Sequence, residues 1–159
     1  MKTIQTDKRV FWYSQKELLK KEKLSGNIST DVVVVGGGMA GLSCAQKLLE
    51  AGKNVVLVEK DFCGAGASGK TSGFITPDSE IELGSLIANH GPEKAKHIWD
   101  FVLSGVNIIR NNILQNSIQC DYLVQDYLFI ANTTDLTKYI VEEHKARKAL
   151  GYTSKLYGA

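Results

Sequence analysis

At 159 residues with 43% hydrophobic and 23% charged side chains, the chain has the composition of a globular domain with a real core. A net charge of +2 argues against an electrostatic nucleic-acid binder, and no run of about 18 apolar residues offers a transmembrane span. The N-terminus carries no apolar signal core, and its acidic residues argue against a transit peptide. Three scattered cysteines, Cys44, Cys63 and Cys120, make neither a disulfide framework nor a metal-ligand spacing, which predicts a reducing cytoplasm and no metal.

Residues 1–30 read as an N-terminal arm. Phe11-Trp12-Tyr13 is an aromatic cluster that either docks on the domain surface or turns Trp12 towards a substrate or cofactor. A short helix is expected from Ser14 to Leu24, with the Lys16–Lys23 run as a solvated face because Glu17 and Glu22 offset its lysines. Ser25-Gly26-Asn27 is a loop signal.

The next stretch organises the rest. Val32 to Val35 is an apolar run bounded by Gly36-Gly37-Gly38, the pattern of a strand buried on both faces. Leu42, Ala45, Leu48 and Leu49 then recur at helical spacing up to Gly52, and Cys44 is expected to pack as a small helix residue. A second strand, Val55 to Val58, ends at Glu59. This is a β-α-β unit with a G-x-G-x-x-G turn at Gly36, Gly38 and Gly41. Gly36 permits the tight turn, Gly38 lets a pyrophosphate approach the backbone, and Gly41 lets helix and strand pack closely. The helix start presents N–H groups and the positive dipole end to phosphates. Glu59, eighteen positions after Gly41, suits an adenosine ribose and disfavours a 2′-phosphate. The unit binds a dinucleotide, and this stretch alone leaves open which one.

Residues 60–77 are dense in Gly, Ala, Ser and Thr. Small residues over such a length signal either close approach by something bulky or simple flexibility. Ser68, Thr71 and Ser72 add hydroxyl groups that can meet a phosphate or a flavin edge.

Together, DVVVVGGGMAGLSCAQKLLEAGKNVVLVEK and GAGASGKTSGF resemble the FAD-dependent oxidoreductases that include D-amino-acid oxidase, glycine oxidase, sarcosine oxidase and γ-glutamylputrescine oxidase. The resemblance implies FAD as cofactor. It matches Gly36, Gly38, Met39, Ala40 and Gly41 to the phosphate turn, and Glu59, followed by Lys60, to the ribose carboxylate. Ser68, Gly69, Thr71, Ser72 and Gly73 match the loop that approaches the flavin, while Lys70 stands where many relatives have arginine. The motif resemblance is specific over residues 31–77 and looser beyond.

Further on, Ser79 and Glu82 suggest a capping box for a short helix through Ile87, followed by a loop at His90-Gly91-Pro92. Ala95, Ile98, Trp99, Val102, Val106, Ile109 and Ile113 form the core stripe of a long helix. His97 and His144 are expected at the surface, and a loop His90 is weak ground for a site. Cys120–Leu123 and Tyr127–Ala131 suggest a hairpin in which Tyr122 and Tyr127 either pair across strands or line a substrate site. Asn132 to Asp135 starts a helix that Gly151 stops, and Tyr152–Ala159 reads as a further strand.

The expected fold is α/β: a Rossmann-like FAD-binding βαβ unit, within the N-terminal part of an FAD-binding domain over residues 31–117, and the beginning of an α+β substrate-binding domain over 118–159. Family members run more than twice this length, so the chain is expected to be truncated and inactive alone. The resemblance implies oxidation of an amine or amino acid to an imine, with the substrate a small molecule and the electron acceptor unassigned. No residue in this stretch is assigned as a catalytic acid or base. The rival expectations are an NAD-dependent dehydrogenase, which has no need of the loop at residues 64–73, and a non-catalytic nucleotide-binding relic.

Overall fold

The computed structural model describes residues 10–14, 21–77 and 80–158. They fall into two compact units, the first ending at Phe74 and the second starting at Ile75.

The first unit opens with a single helical turn, α1 (Phe11–Ser14), and its nucleus is β1 (Val32–Val35), α2 (Met39–Glu50) and β2 (Val55–Val58). The strands run parallel in the register Val32↔Val55 to Val35↔Val58. Polar groups fix where they begin: Asp31 Oδ2 accepts from Asn54 N at 2.9 Å, and Thr30 Oγ1 donates to Asn54 O at 2.8 Å. The expected helix packs one face of the pair, burying Ala45. It closes with a Schellman motif in which Gly52 N donates to Leu49 O and Lys53 N to Leu48 O, with Gly52 at a φ of 74°.

Burial on both faces of β1 is not observed. Its burial alternates, and Val33 and Val35 are 55% and 83% exposed. One helix can clothe one face of a two-stranded sheet, and among the described residues nothing covers the other. Cys44 is exposed as well. It lies next to Ala45 in sequence and therefore about 100° round the helix from the packed stripe. Of the expected helix from Ser14 to Leu24, residues 15–20 lie outside the described residues, and Lys21–Leu24 are not helical.

The second unit is helical: α3 (Leu83–His90), α4 (Pro92–Gln115) and α5 (Thr134–Ala149). Its core is Leu83, Leu86, Ala95 and Trp99, joined by Ile87, Ile98, Leu103, Leu150 and Tyr152. Every residue of the predicted α4 stripe is buried or half-buried, and Pro92 occupies the first helical position. Thr133 caps α5 by accepting from Leu136 N at 3.2 Å. Gly151, at a φ of 84°, ends it with Gly151 N on Lys148 O and Tyr152 N on Arg147 O.

Four expectations in this unit need correction. Residue 79 lies outside the described residues, and Glu82 stands at the N-cap of α3 without a side-chain capping bond. The donors at that helix start are met from elsewhere: Glu143 of α5 accepts from Leu83 N at 3.3 Å and Gly84 N at 2.8 Å. His90 closes α3 instead of sitting in a loop. The hairpin over 120–131 and the strand after Tyr152 do not form ladders. Isolated hairpins are marginal in water, and no third strand backs these segments among the described residues. Tyr127 and Phe129 instead meet edge-to-face at 5.7 Å, both exposed.

Candidate functional site

The site is built where β1 ends. Gly36 carries a φ of 104°, a conformation that favours glycine, and its amide donates to Val58 O at 2.8 Å, so the ladder runs into the turn. Gly41 has no room for a side chain, because a Cβ there would strike the carbonyl oxygen of Gly36. Its role in close helix–strand packing is therefore steric. Gly38 differs. A Cβ at this position would stand 3.2 Å from Ser68 Oγ and meet no other atom within 4 Å, so it would project into the space between turn and loop.

Glu59 reaches back from the end of β2 and accepts from Gly37 N at 2.7 Å with one oxygen and from Asp61 N at 3.0 Å with the other. The Gly37 amide, followed by that of Asp61, holds this carboxyl below the usual glutamate range. It is thus ionised at neutral pH. A carboxylate offers about four acceptor positions, so two bonds leave capacity for a ligand's hydroxyl groups.

The loop after β2 returns to the turn. Gly64 N donates to Gly37 O at 2.9 Å, and Ser68 Oγ accepts from Met39 N, the first amide of α2, at 2.9 Å. The following amides of Ala40 and Gly41 lie in the first turn, beyond reach of an intrahelical acceptor. Ala67–Gly69 forms a turn of 3₁₀ helix. Gly69 is needed there, since a Cβ would meet the Gly64 carbonyl oxygen and the Tyr13 ring. Thr71 Oγ1 accepts from Gly73 N at 3.1 Å, while Lys60 and Ser72 are exposed.

The turn residues, Glu59 and Ser68 thus come together through direct bonds. Gly37 occupies a position to which the motif assigns no role. Its amide anchors Glu59, its carbonyl anchors Gly64, and a Cβ would lie 2.9 Å from Cys63 Sγ. The one available signal was that the run is three glycines long where the motif asks for two. His90 and His97 are both exposed and line a shallow cleft in the second unit, and His144 Nδ1 lies 2.8 Å from Ser154 Oγ.

This donor set suits a dinucleotide pyrophosphate: free first-turn amides, glycine where the backbone must be approached, and an ionised carboxylate one strand away. A sequence model of the family described as DAO, FAD dependent oxidoreductase, matches residues 31–159. The chain belongs to this family. Its cofactor is FAD, which decides against the nicotinamide alternative.

Among individual proteins, the chain is 34% identical over 122 residues to the probable oxidoreductase OrdL of Haemophilus influenzae, covering 77% of this chain and 28% of that protein. It is 37% identical over 101 residues to the gamma-glutamylputrescine oxidoreductase of Escherichia coli, covering 64% and 24%. A putative Rieske 2Fe-2S iron-sulfur protein of Bacillus subtilis, YhfW, is 27% identical over 142 residues, covering 89% and 28%. The chain therefore spans about a quarter of the length of these relatives. No solved structure matches it. No described helix is long and apolar enough to cross a membrane.

Proposed function

We propose that the protein carrying this chain oxidises the C–N bond of a small amine or amino acid, and that residues 31–73 hold its FAD. When bound, FAD supplies the hydride acceptor for a carbon next to nitrogen, giving an imine that water hydrolyses. This chain's own part is binding and orientation. Gly38 keeps a side chain away from the pyrophosphate, Gly36 and Gly41 shape the turn that receives it, and the amides of Ala40 and Gly41 face its charge at the positive end of α2, beside the Met39 amide that Ser68 holds. Glu59, followed by Lys60, receives the ribose hydroxyl groups. Ser68, Gly69, Thr71, Ser72 and Gly73 form the wall that approaches the flavin.

The observation that carries the site assignment is the bond from Met39 N to Ser68 Oγ, which ties the small-residue loop onto the phosphate turn. A purely flexible loop has no reason to return there. The amine class is supported by the likeness to gamma-glutamylputrescine oxidoreductase. We assign residues 118–159 to the start of the substrate-binding domain and the protein to the cytoplasm, the latter supported by three exposed free cysteines.

The test has two steps. Heat-denatured protein should release a flavin that migrates as FAD, with no NAD. Anaerobic addition of primary amines and amino acids should then bleach the flavin's visible absorption and give a carbonyl product. Bleaching by hydroxy acids alone would remove the C–N assignment and leave the cofactor site standing.

A further inference from the structure

The aromatic cluster before the first strand is absorbed by no motif, yet it contacts the flavin loop at both ends. Trp12 Nε1 donates to the carbonyl of Thr71 at 2.7 Å. The same indole lies 3.0 Å from the place a Gly73 Cβ would take, and Gly73 has a φ of 82°, so two constraints demand glycine there. Tyr13, the one buried member of the cluster, lies within hydrogen-bond distance of two carbonyls through its hydroxyl: Ala65 O at 2.7 Å and Gly64 O at 3.2 Å. Its ring meets Phe62 edge-to-face at 5.2 Å and approaches Gly69.

A loop made of small residues has little side-chain mass to pack and wide backbone freedom, which places it at the low-stability end of a domain. Ordering it on ligand binding costs affinity, and prior ordering removes that cost. The two aromatic donors also choose an orientation. A carbonyl that accepts from Tyr13 or Trp12 is turned towards the aromatic arm, and carbonyl oxygens turned towards a pyrophosphate would repel it.

We propose that Trp12 and Tyr13 are positioning residues that hold residues 62–73 in the FAD-receptive shape, making the aromatic arm part of the cofactor site without touching the cofactor. This rests on the assignment of the loop to the flavin given above. It gives the loop's glycines a second purpose, since Gly69 and Gly73 make room for the aromatic arm on one side as well as for a ligand on the other.

The experiment uses the full chain with Trp12→Phe and Tyr13→Phe, each of which deletes a donor and keeps a ring. FAD is titrated by flavin fluorescence, and amide hydrogen exchange is followed in the same samples with and without FAD. Each variant should raise the Kd for FAD about fivefold, the worth of one hydrogen bond, and speed exchange across residues 64–73. Exchange at Val32–Val35 should stay unchanged. Faster exchange in that strand too would mean general packing and overturn the proposal. Unchanged Kd and loop exchange in both variants would overturn it while leaving the FAD site intact. If FAD failed to protect the loop in the unaltered protein, the loop assignment itself would fall, and this inference with it.

Discussion

Glu59 Oε2 accepts the amide proton of Gly37 at 2.7 Å, joining the end of the second strand to the turn that follows the first. The bond does two things. It fixes the carboxylate beside the glycine turn, and it favours the ionised form.

The pH dependence follows from that bond. The Glu59 carboxyl is held below its ordinary value of 4.5 by backbone donors, Gly37 first. A carboxyl whose pKa is lower in the folded state contributes stability above its unfolded pKa and loses it as pH falls through the folded one. FAD affinity and stability of the first unit should therefore show no loss from Glu59 between neutrality and about pH 4.5, and decline only below it. Glu59→Gln keeps the size but removes the charge and one of the two acceptor oxygens, and should weaken FAD binding about tenfold at neutral pH. Fluorescence titration across pH reads both effects, and a glutamine variant as tight as the parent would remove Glu59 from the ribose site.

Gly41→Ala should act on folding. Its Cβ has nowhere to go but into the Gly36 carbonyl oxygen, a backbone atom that cannot swing aside. Overpacking of this kind costs about 3 kcal/mol. The expected result is a lower thermal midpoint of the first unit even without cofactor, followed by circular dichroism. Unchanged stability would show that helix and strand are less closely packed than described.

In the second unit, Glu143 joins three donors: the α3 amides of Leu83 and Gly84, and Arg147 Nε at 2.8 Å. Arg147 in turn lies 4.9 Å over the ring of Trp99, the largest core side chain. Glu143→Ala uncaps α3 and leaves the guanidinium unpaired, so it should destabilise the unit by about 2 kcal/mol. Glu142→Ala, whose side chain is largely exposed and pairs with Lys145, is the matched control and should cost well under 1 kcal/mol. Equal denaturant midpoints for the two variants would refute the capping role.

The contrast between Glu59 and Glu143 shows what the sequence made legible. Glu59 could be placed because it ends a valine strand at a motif spacing, and the α4 stripe and the Thr133 and Gly151 ends of α5 were equally local signals. Glu143 could not, because the amides it caps lie some sixty positions earlier, and its local i,i+4 pair with Arg147 does not announce them. The Trp12–Thr71 bond has the same character. The segment 120–131 misled for another reason: aromatic and β-branched residues express fitness for a pleated surface, and a ladder also needs a neighbour. Half-exposed β1 makes the same point, since four valines announce two apolar faces without supplying what covers them.

The central claim is that the turn at Gly36–Gly41 receives the FAD pyrophosphate, and Gly38→Val tests it most directly. The change leaves the backbone at ease, with a φ of −81°, and the one close neighbour, Ser68 Oγ at 3.2 Å from the new Cβ, is a side-chain atom that can give way by rotation, so folding should hold. The new side chain would fill the space between turn and loop. FAD titration of the full chain should show affinity reduced beyond measurement while the thermal midpoint without cofactor stays close to that of the parent. A Gly38→Val protein that holds FAD as tightly as the parent would contradict the account.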